Sequence, residues 1–178
     1  MKLFSLVLFF HILAAIVWLG AGVSLDLLRQ NASKTKDKNK IKLAINNNAK
    51  LSQQLFAPAG LTALITGILM VIISKKLFFS DTWILIALVG ILIAIIHGAL
   101  VVSKQAKDFS EIDVKSKDFN VAYKKFVFSS KISMAIITIV LLDMVVKPKS
   151  NYLSYALYSI LIFAIYLFTA KKHSTLQK

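Results

Sequence analysis

Five stretches of the chain are almost free of charge: Leu3 to Leu25, Leu55 to Ser74, Thr82 to Ser103, Ile132 to Val146 and Tyr152 to Ala170. Each is a solid apolar run, and about 20 such residues wound as a helix cross the hydrocarbon layer of a bilayer. Strands of a membrane barrel would alternate apolar and polar residues instead. The fourth run is the shortest and contains Asp143. It reaches crossing length if the helix extends through Lys131 and Lys147, whose side chains can reach outward to the headgroups. The expected fold class is therefore all-α: a polytopic membrane protein, an antiparallel bundle of about five transmembrane helices over residues 3–25, 55–74, 82–103, 131–147 and 152–170, in a single domain spanning 1–178. The first run is longer than a signal-peptide core, and removing it would reverse the charge pattern described next, so it is expected to stay as a helix.

The polar intervals divide unevenly. Arg29 and the lysines at 34, 36, 38, 40, 42 and 50 separate the first two spans, and seven lysines from Lys104 to Lys131 separate the third from the fourth. Lys75 and Lys76, Lys147 and Lys149, and Lys2 are all that the opposite side carries, while Lys171, Lys172 and Lys178 follow the last span. Short lysine-rich loops stay on the cytoplasmic side, which sets the N-terminus outside and the C-terminus inside a cell membrane. Ile41, Ile45 and Leu51 with Leu55, and separately Phe119, Tyr123 and Phe126, recur at helical spacing beside these lysines. They predict helix extensions or short interfacial helices at headgroup level. Pro58 suits the first turn of the second helix, and Trp83, Tyr152 and Tyr155 suit the outer interface.

Composition agrees: 57% of the residues are hydrophobic and mean hydropathy is +0.72. The net charge of +14 is accounted for by topology and by contact with anionic lipid headgroups, and no nucleic-acid motif accompanies it. With no cysteine, thiolate metal sites and disulfides are excluded. No nucleotide loop, serine triad or zinc-protease motif is present either.

An ionisable side chain inside a bilayer is expensive and marks a candidate site. Three fall within the spans: His11, His97 and Asp143; His173 belongs to the polar tail. At about 1.5 Å of rise per residue, His11 lies roughly 12 Å below the outer edge, His97 roughly 22 Å and Asp143 roughly 6 Å. Two histidines so far apart in depth fit poorly as axial partners on one iron, and separate roles are easier to reconcile. Each can also serve simply as interhelical glue. His11, Ala15, Trp18 and Gly22 share one helix face, able to accept a flat cofactor or another helix. Asp143 precedes Lys147 by four residues and can pair with it, or act as a relay or cation-entry carboxylate near His11. Met70 and Met144 lie in the same outer half, and thioethers with imidazole could hold Cu(I), although methionines more often only pack.

The string HILAAIVWLGAG, from His11 through Trp18 to Gly22, resembles the opening helix of the copper-resistance D (CopD)-like superfamily of small bacterial membrane proteins, which includes the HemJ-type protoporphyrinogen oxidases. TALITGILM around Gly67, IIHGALV around His97 and LLDMVVKP ending at Pro148 resemble later helices of an uncharacterised "predicted integral membrane protein" family in that group. The resemblance implies a compact helical bundle and, through the HemJ branch, haem b on a first-helix histidine, here His11. His97 resembles a histidine late in that branch's third helix. The HemJ pattern carries a lysine early in the third helix, whereas none stands between Thr82 and Ser103 here, which weighs against porphyrinogen oxidation.

Three functions follow as expectations. The first is haem binding or redox chemistry, with His11 as ligand, His97 as a second ligand, propionate contact or quinone-side group, and Trp18 beside the cofactor. The second is transport of copper or a small solute along His11, Met70, Asp143 and Met144. The third is a non-catalytic accessory role, in which small-residue faces dock a second copy or a larger membrane complex.

Overall fold

The computed structural model describes residues 2–147 and 152–175. Pro148, Lys149 and Lys178 lie outside those residues, as do the side chains of Tyr152, Lys172 and His173. Five long helices account for the described chain: α1 (Lys2–Lys34), α2 (Lys38–Ile73), α3 (Thr82–Glu111), α4 (Asp118–Val146) and α5 (Tyr152–Thr175). All five contain a segment long and apolar enough to cross a membrane. The chain is an all-α polytopic bundle, and no strand occurs among the described residues.

Short turns force successive helices antiparallel. Asp37 caps α2 by accepting hydrogen bonds from the backbone N–H groups of Asn39 (2.9 Å) and Lys40 (3.4 Å). α4 stops at Lys147, which takes the left-handed conformation (φ 47°) while its N–H bonds Asp143 O at 2.8 Å. α1 packs mainly on α2, while α4 lies between α3 and α5. The α1–α2 pair and the α3–α4–α5 row meet along a seam.

The helices outrun the expected spans at the lysine-rich end. There the extensions of α2 and α3 pack on each other and on the start of α4, burying Ile41, Ile45, Phe109, Phe119, Tyr123 and Val127 almost completely. The apolar residues at helical spacing in the loops therefore belong to continuous helix extensions with a core of their own, and not to separate helices lying on the headgroups. Pro58 also sits differently from expectation. It is inside the continuous α2, just past a π-helical turn at Ser52–Phe56 in which Ala57 N–H reaches back to Ser52 O. Widening the turn is one way a helix accommodates the amide that proline lacks and the bulk of its ring. α3 contains a second π turn, Gly98–Val102, closed by Ser103.

Close helix contact depends on missing side chains. A Cβ on Gly90 of α3 would lie 2.4 Å from Val140 Cγ2, on a stiff and fully packed side chain of α4. By contrast, nothing lies within 4 Å of a Cβ placed on Gly20. Gly90→Ala is expected to lower stability by about 1–3 kcal/mol, whereas Gly20→Ala should be neutral or stabilising by up to about 1 kcal/mol. Thermal unfolding of both variants in the same detergent checks the contrast, and equal effects would mean that the α3–α4 contact is not tight at Gly90.

Candidate functional site

Two cavities lie one after the other along the seam between the two halves. The one at the lysine-poor end, about 420 Å³, is walled by residues of α1 to α4 and by Leu77 of the α2–α3 turn, and it is predominantly apolar. His11, Met70 and Met144 all line it. The other cavity, about 390 Å³, lies towards the lysine-rich end and is lined by Trp18, Gly22, Asp26, Arg29 and both π turns. Between them the indole of Trp18 lies against Gly60, where a Cβ would come within 3.0 Å of the ring, and tilts over Phe56 at a centroid distance of 5.8 Å.

His11 is held by α2. Its Nδ1 is 3.0 Å from Ala63 O and 3.1 Å from Thr66 Oγ1. A carbonyl oxygen can only accept, so Nδ1 carries the proton and donates, leaving Nε2 with its lone pair in the neutral ring. The Thr66 hydroxyl donates onward to Thr62 O at 2.6 Å, which turns its own lone pairs towards the histidine. Gly67 makes room, since a Cβ there would stand 3.2 Å from His11 Cε1. Nε2 has no hydrogen-bond partner among the described residues.

His97 faces elsewhere. Its Nδ1 shares a 2.8 Å hydrogen bond with Ser133 Oγ of α4, and it lines neither cavity. The structure thus separates His11 and His97 onto different helix interfaces, and Trp18 lines the cavity next to that of His11. Asp143 also lies apart from His11: it is fully buried and lines neither cavity, and both carboxylate oxygens lack a hydrogen-bond partner among the described residues. The buried hydroxyls of Tyr155 and Ser159 on α5 lie close to each other, and Tyr155 lies close enough to Asp143 to feel its charge. The expected Asp143–Lys147 ion pair does not form. The Lys147 ammonium instead lies 5.0 Å over the Trp83 ring, and both residues line the His11 cavity.

Sequence reasoning missed a charged cluster. Asp26 accepts hydrogen bonds from Arg29, from Gln30 Nε2 at 2.6 Å and from Lys131 Nζ at 2.7 Å. Lys131 is only 4% exposed, so it does not reach outward to headgroups as its place at the edge of a span suggested; it turns inward and also lies 5.8 Å over the Tyr166 ring. The available signal was the i, i+3, i+4 spacing of Asp26, Arg29 and Gln30 directly after an apolar run. Among the described residues no group of three His, Cys, Asp or Glu side chains is placed to hold a metal ion.

Residues 5–148 match a family described as predicted integral membrane protein (DUF2269), and the chain belongs to that family. No curated protein and no solved structure matches it. The match ends two residues past α4, and all residues lining the two cavities fall within it.

A fully buried carboxylate without hydrogen bonds is a cost unless it binds something. Asp143→Asn, which keeps the shape and removes the charge, is expected to stabilise the detergent-solubilised protein by about 1–3 kcal/mol. A lower melting temperature for this variant would mean that the carboxylate has a stabilising partner.

Proposed function

We propose that this integral membrane protein binds a lipophilic redox cofactor, haem b, in the cavity at the lysine-poor end, with His11 as the iron ligand. The observation that carries the reading is the orientation of His11. Metal-binding histidines commonly donate the other ring N–H to a backbone carbonyl, which fixes the tautomer and the plane of the ring. His11 already has that support from Ala63 O, and the ring lines a cavity of cofactor scale. Met70 and Met144 offer thioethers in the same cavity, so the second ligand in this reading is a methionine and not the distant His97. Lys147 is the cation on that wall, suited to a cofactor carboxylate. Bound haem supplies one-electron chemistry, and a histidine–methionine ligand pair would raise its potential. The resemblance of the first helix to the HemJ branch supports the same assignment. Leu8, Ile12, Ile84 and Leu88 make the rest of the wall apolar.

The donor set favours one other reading. An imidazole with two thioethers is a soft set suited to Cu(I), consistent with the copper branch of the resemblance. A cavity of about 420 Å³ is much larger than one ion requires, which favours the haem reading.

The test is an oxidised and dithionite-reduced absorption spectrum of protein purified from cells with ample haem supply, with metal analysis of the same sample. A redox-sensitive Soret band is expected, with haem content falling roughly tenfold or more in His11→Ala and persisting with an altered spectrum when the coordinating methionine of Met70 and Met144 is replaced by leucine. Stoichiometric copper that depends on His11 and both methionines, without haem, would establish the second reading instead. Protein that stays colourless and metal-free after incubation with haem and with Cu(I) would overturn both.

A further inference from the structure

The cavity towards the lysine-rich end differs chemically from the His11 cavity. One wall carries the Asp26 cluster, in which two cations, Arg29 and Lys131, meet a single carboxylate. The cluster therefore carries one positive charge in excess. Arg29 is 2% exposed, and its Nη1 has no hydrogen-bond partner among the described residues. Asn48, 6% exposed, donates from Nδ2 to Leu25 O at 2.7 Å, while its Oδ1 is also buried without a partner. Both residues line the cavity. A buried cluster with one cation in excess and an unpartnered Arg29 Nη1 calls for an anion, and the planar fork of the guanidinium suits a carboxylate or phosphate.

The remaining walls are apolar, formed by Trp18, Phe56, Ile95, Phe126 and Met134 among others. The cavity also reaches the surface of the bundle. Gln53, Ala57 and Leu61 of α2 and Ala99 and Ser103 of α3 are exposed and at the same time line it. It thus opens between α2 and α3 at the level of the two π turns. A helical surface of this apolar kind faces hydrocarbon, so the opening leads sideways into the bilayer.

We infer that this cavity is a binding site for a membrane amphiphile with one anionic headgroup, entering between α2 and α3, its carboxylate or phosphate set against Arg29 and its chain along Trp18, Phe56 and Met134. The headgroup supplies the missing charge, and its polar oxygens or hydroxyls meet Asn48. Neither a free anion nor an uncharged lipid satisfies both ends: the first leaves the apolar walls uncovered, and the second leaves the surplus positive charge of the cluster unmatched. The site shares no donor atom with His11, so it stands or falls independently of the haem reading.

Trp18 reports on the site directly. The chain has two tryptophans, and Trp83→Phe leaves the cavity indole as the only one. The full chain carrying that substitution is reconstituted into phosphatidylcholine vesicles with rising fractions of either phosphatidylglycerol or phosphatidylcholine brominated in mid-chain, since bromine quenches an indole that it touches. Quenching is expected at roughly tenfold lower mole fraction of the anionic lipid, the scale of one charge-assisted hydrogen bond. Arg29→Gln should bring the two curves together. Asp26→Asn removes the competing carboxylate and should widen the preference. Gly98→Leu places a side chain into a position with nothing within 4 Å of its Cβ, at the cavity wall, and should weaken quenching by both lipids. This last variant tests the site without touching the charges, so the inference remains decidable if Arg29→Gln fails to fold. Coincident curves in the parent protein, or a preference unchanged by Arg29→Gln, would overturn the proposal. Relief of the anionic-lipid quenching by 10 mM inorganic phosphate would also overturn it, showing that the site takes a free anion.

Discussion

One carboxylate joins the two halves of this molecule. Asp26 lies at the end of the apolar stretch of α1, where it takes Arg29 and Gln30 from its own helix and Lys131 from α4. Elsewhere the α1–α2 pair and the α3–α4–α5 row touch through the core of Ile41, Ile45, Phe109 and Tyr123 at the lysine-rich end, where Lys42 Nζ also donates to Ile112 O at 2.6 Å. Further along the seam they touch through the apolar layer around Trp18, Ile91, Ala94, Met134 and Ile137. In hydrocarbon such a layer has no hydrophobic driving force to hold it, because lipid tails are as apolar as the side chains they replace. A charged tie across the seam is worth correspondingly more, and removing one partner would strand the others in a poorly solvated place.

That tie leaves the seam free to be incompletely packed. Above and below the Trp18 layer the helices diverge enough to enclose two cavities, one around His11 and one beside Arg29. The π turns at Ser52–Phe56 and Gly98–Val102 belong to the same geometry. They occur on facing helices and both line the Arg29 cavity. A π turn shifts the rotational register of a helix while keeping nearly every backbone hydrogen bond, which a bilayer requires. It therefore lets α2 and α3 pack well at the lysine-rich end and still turn different faces to the seam beyond it.

The crossing helices could be read in the sequence because a long uncharged run has few other physical meanings. Helix ends could be read less well. Ile41, Phe109 and Tyr123 sit among lysines, and the average hydropathy there conceals a helix whose apolar face finds a protein partner. Lys131 shows the limit most clearly: a lysine at the edge of a span looks the same in a sequence whether it reaches out to headgroups or inward to Asp26. His11 stood out as an ionisable group at depth, but its preparation as a ligand depends on Ala63 and Thr66, some fifty residues away, and on a carbonyl oxygen that no side-chain pattern reveals. Pro58 suggested a helix start, yet a π turn absorbs it within a continuous helix.

The fifth helix stands outside this arrangement. It packs on α4, none of its described residues lines either cavity, and it lies beyond the residues that define the family. Its Leu153, Ile160, Leu161 and Phe168 point away from the bundle. Substitutions on that outer surface can therefore change which neighbours the molecule meets in the plane of the membrane while leaving untouched what it holds inside, so that association and binding can be altered separately within one short chain.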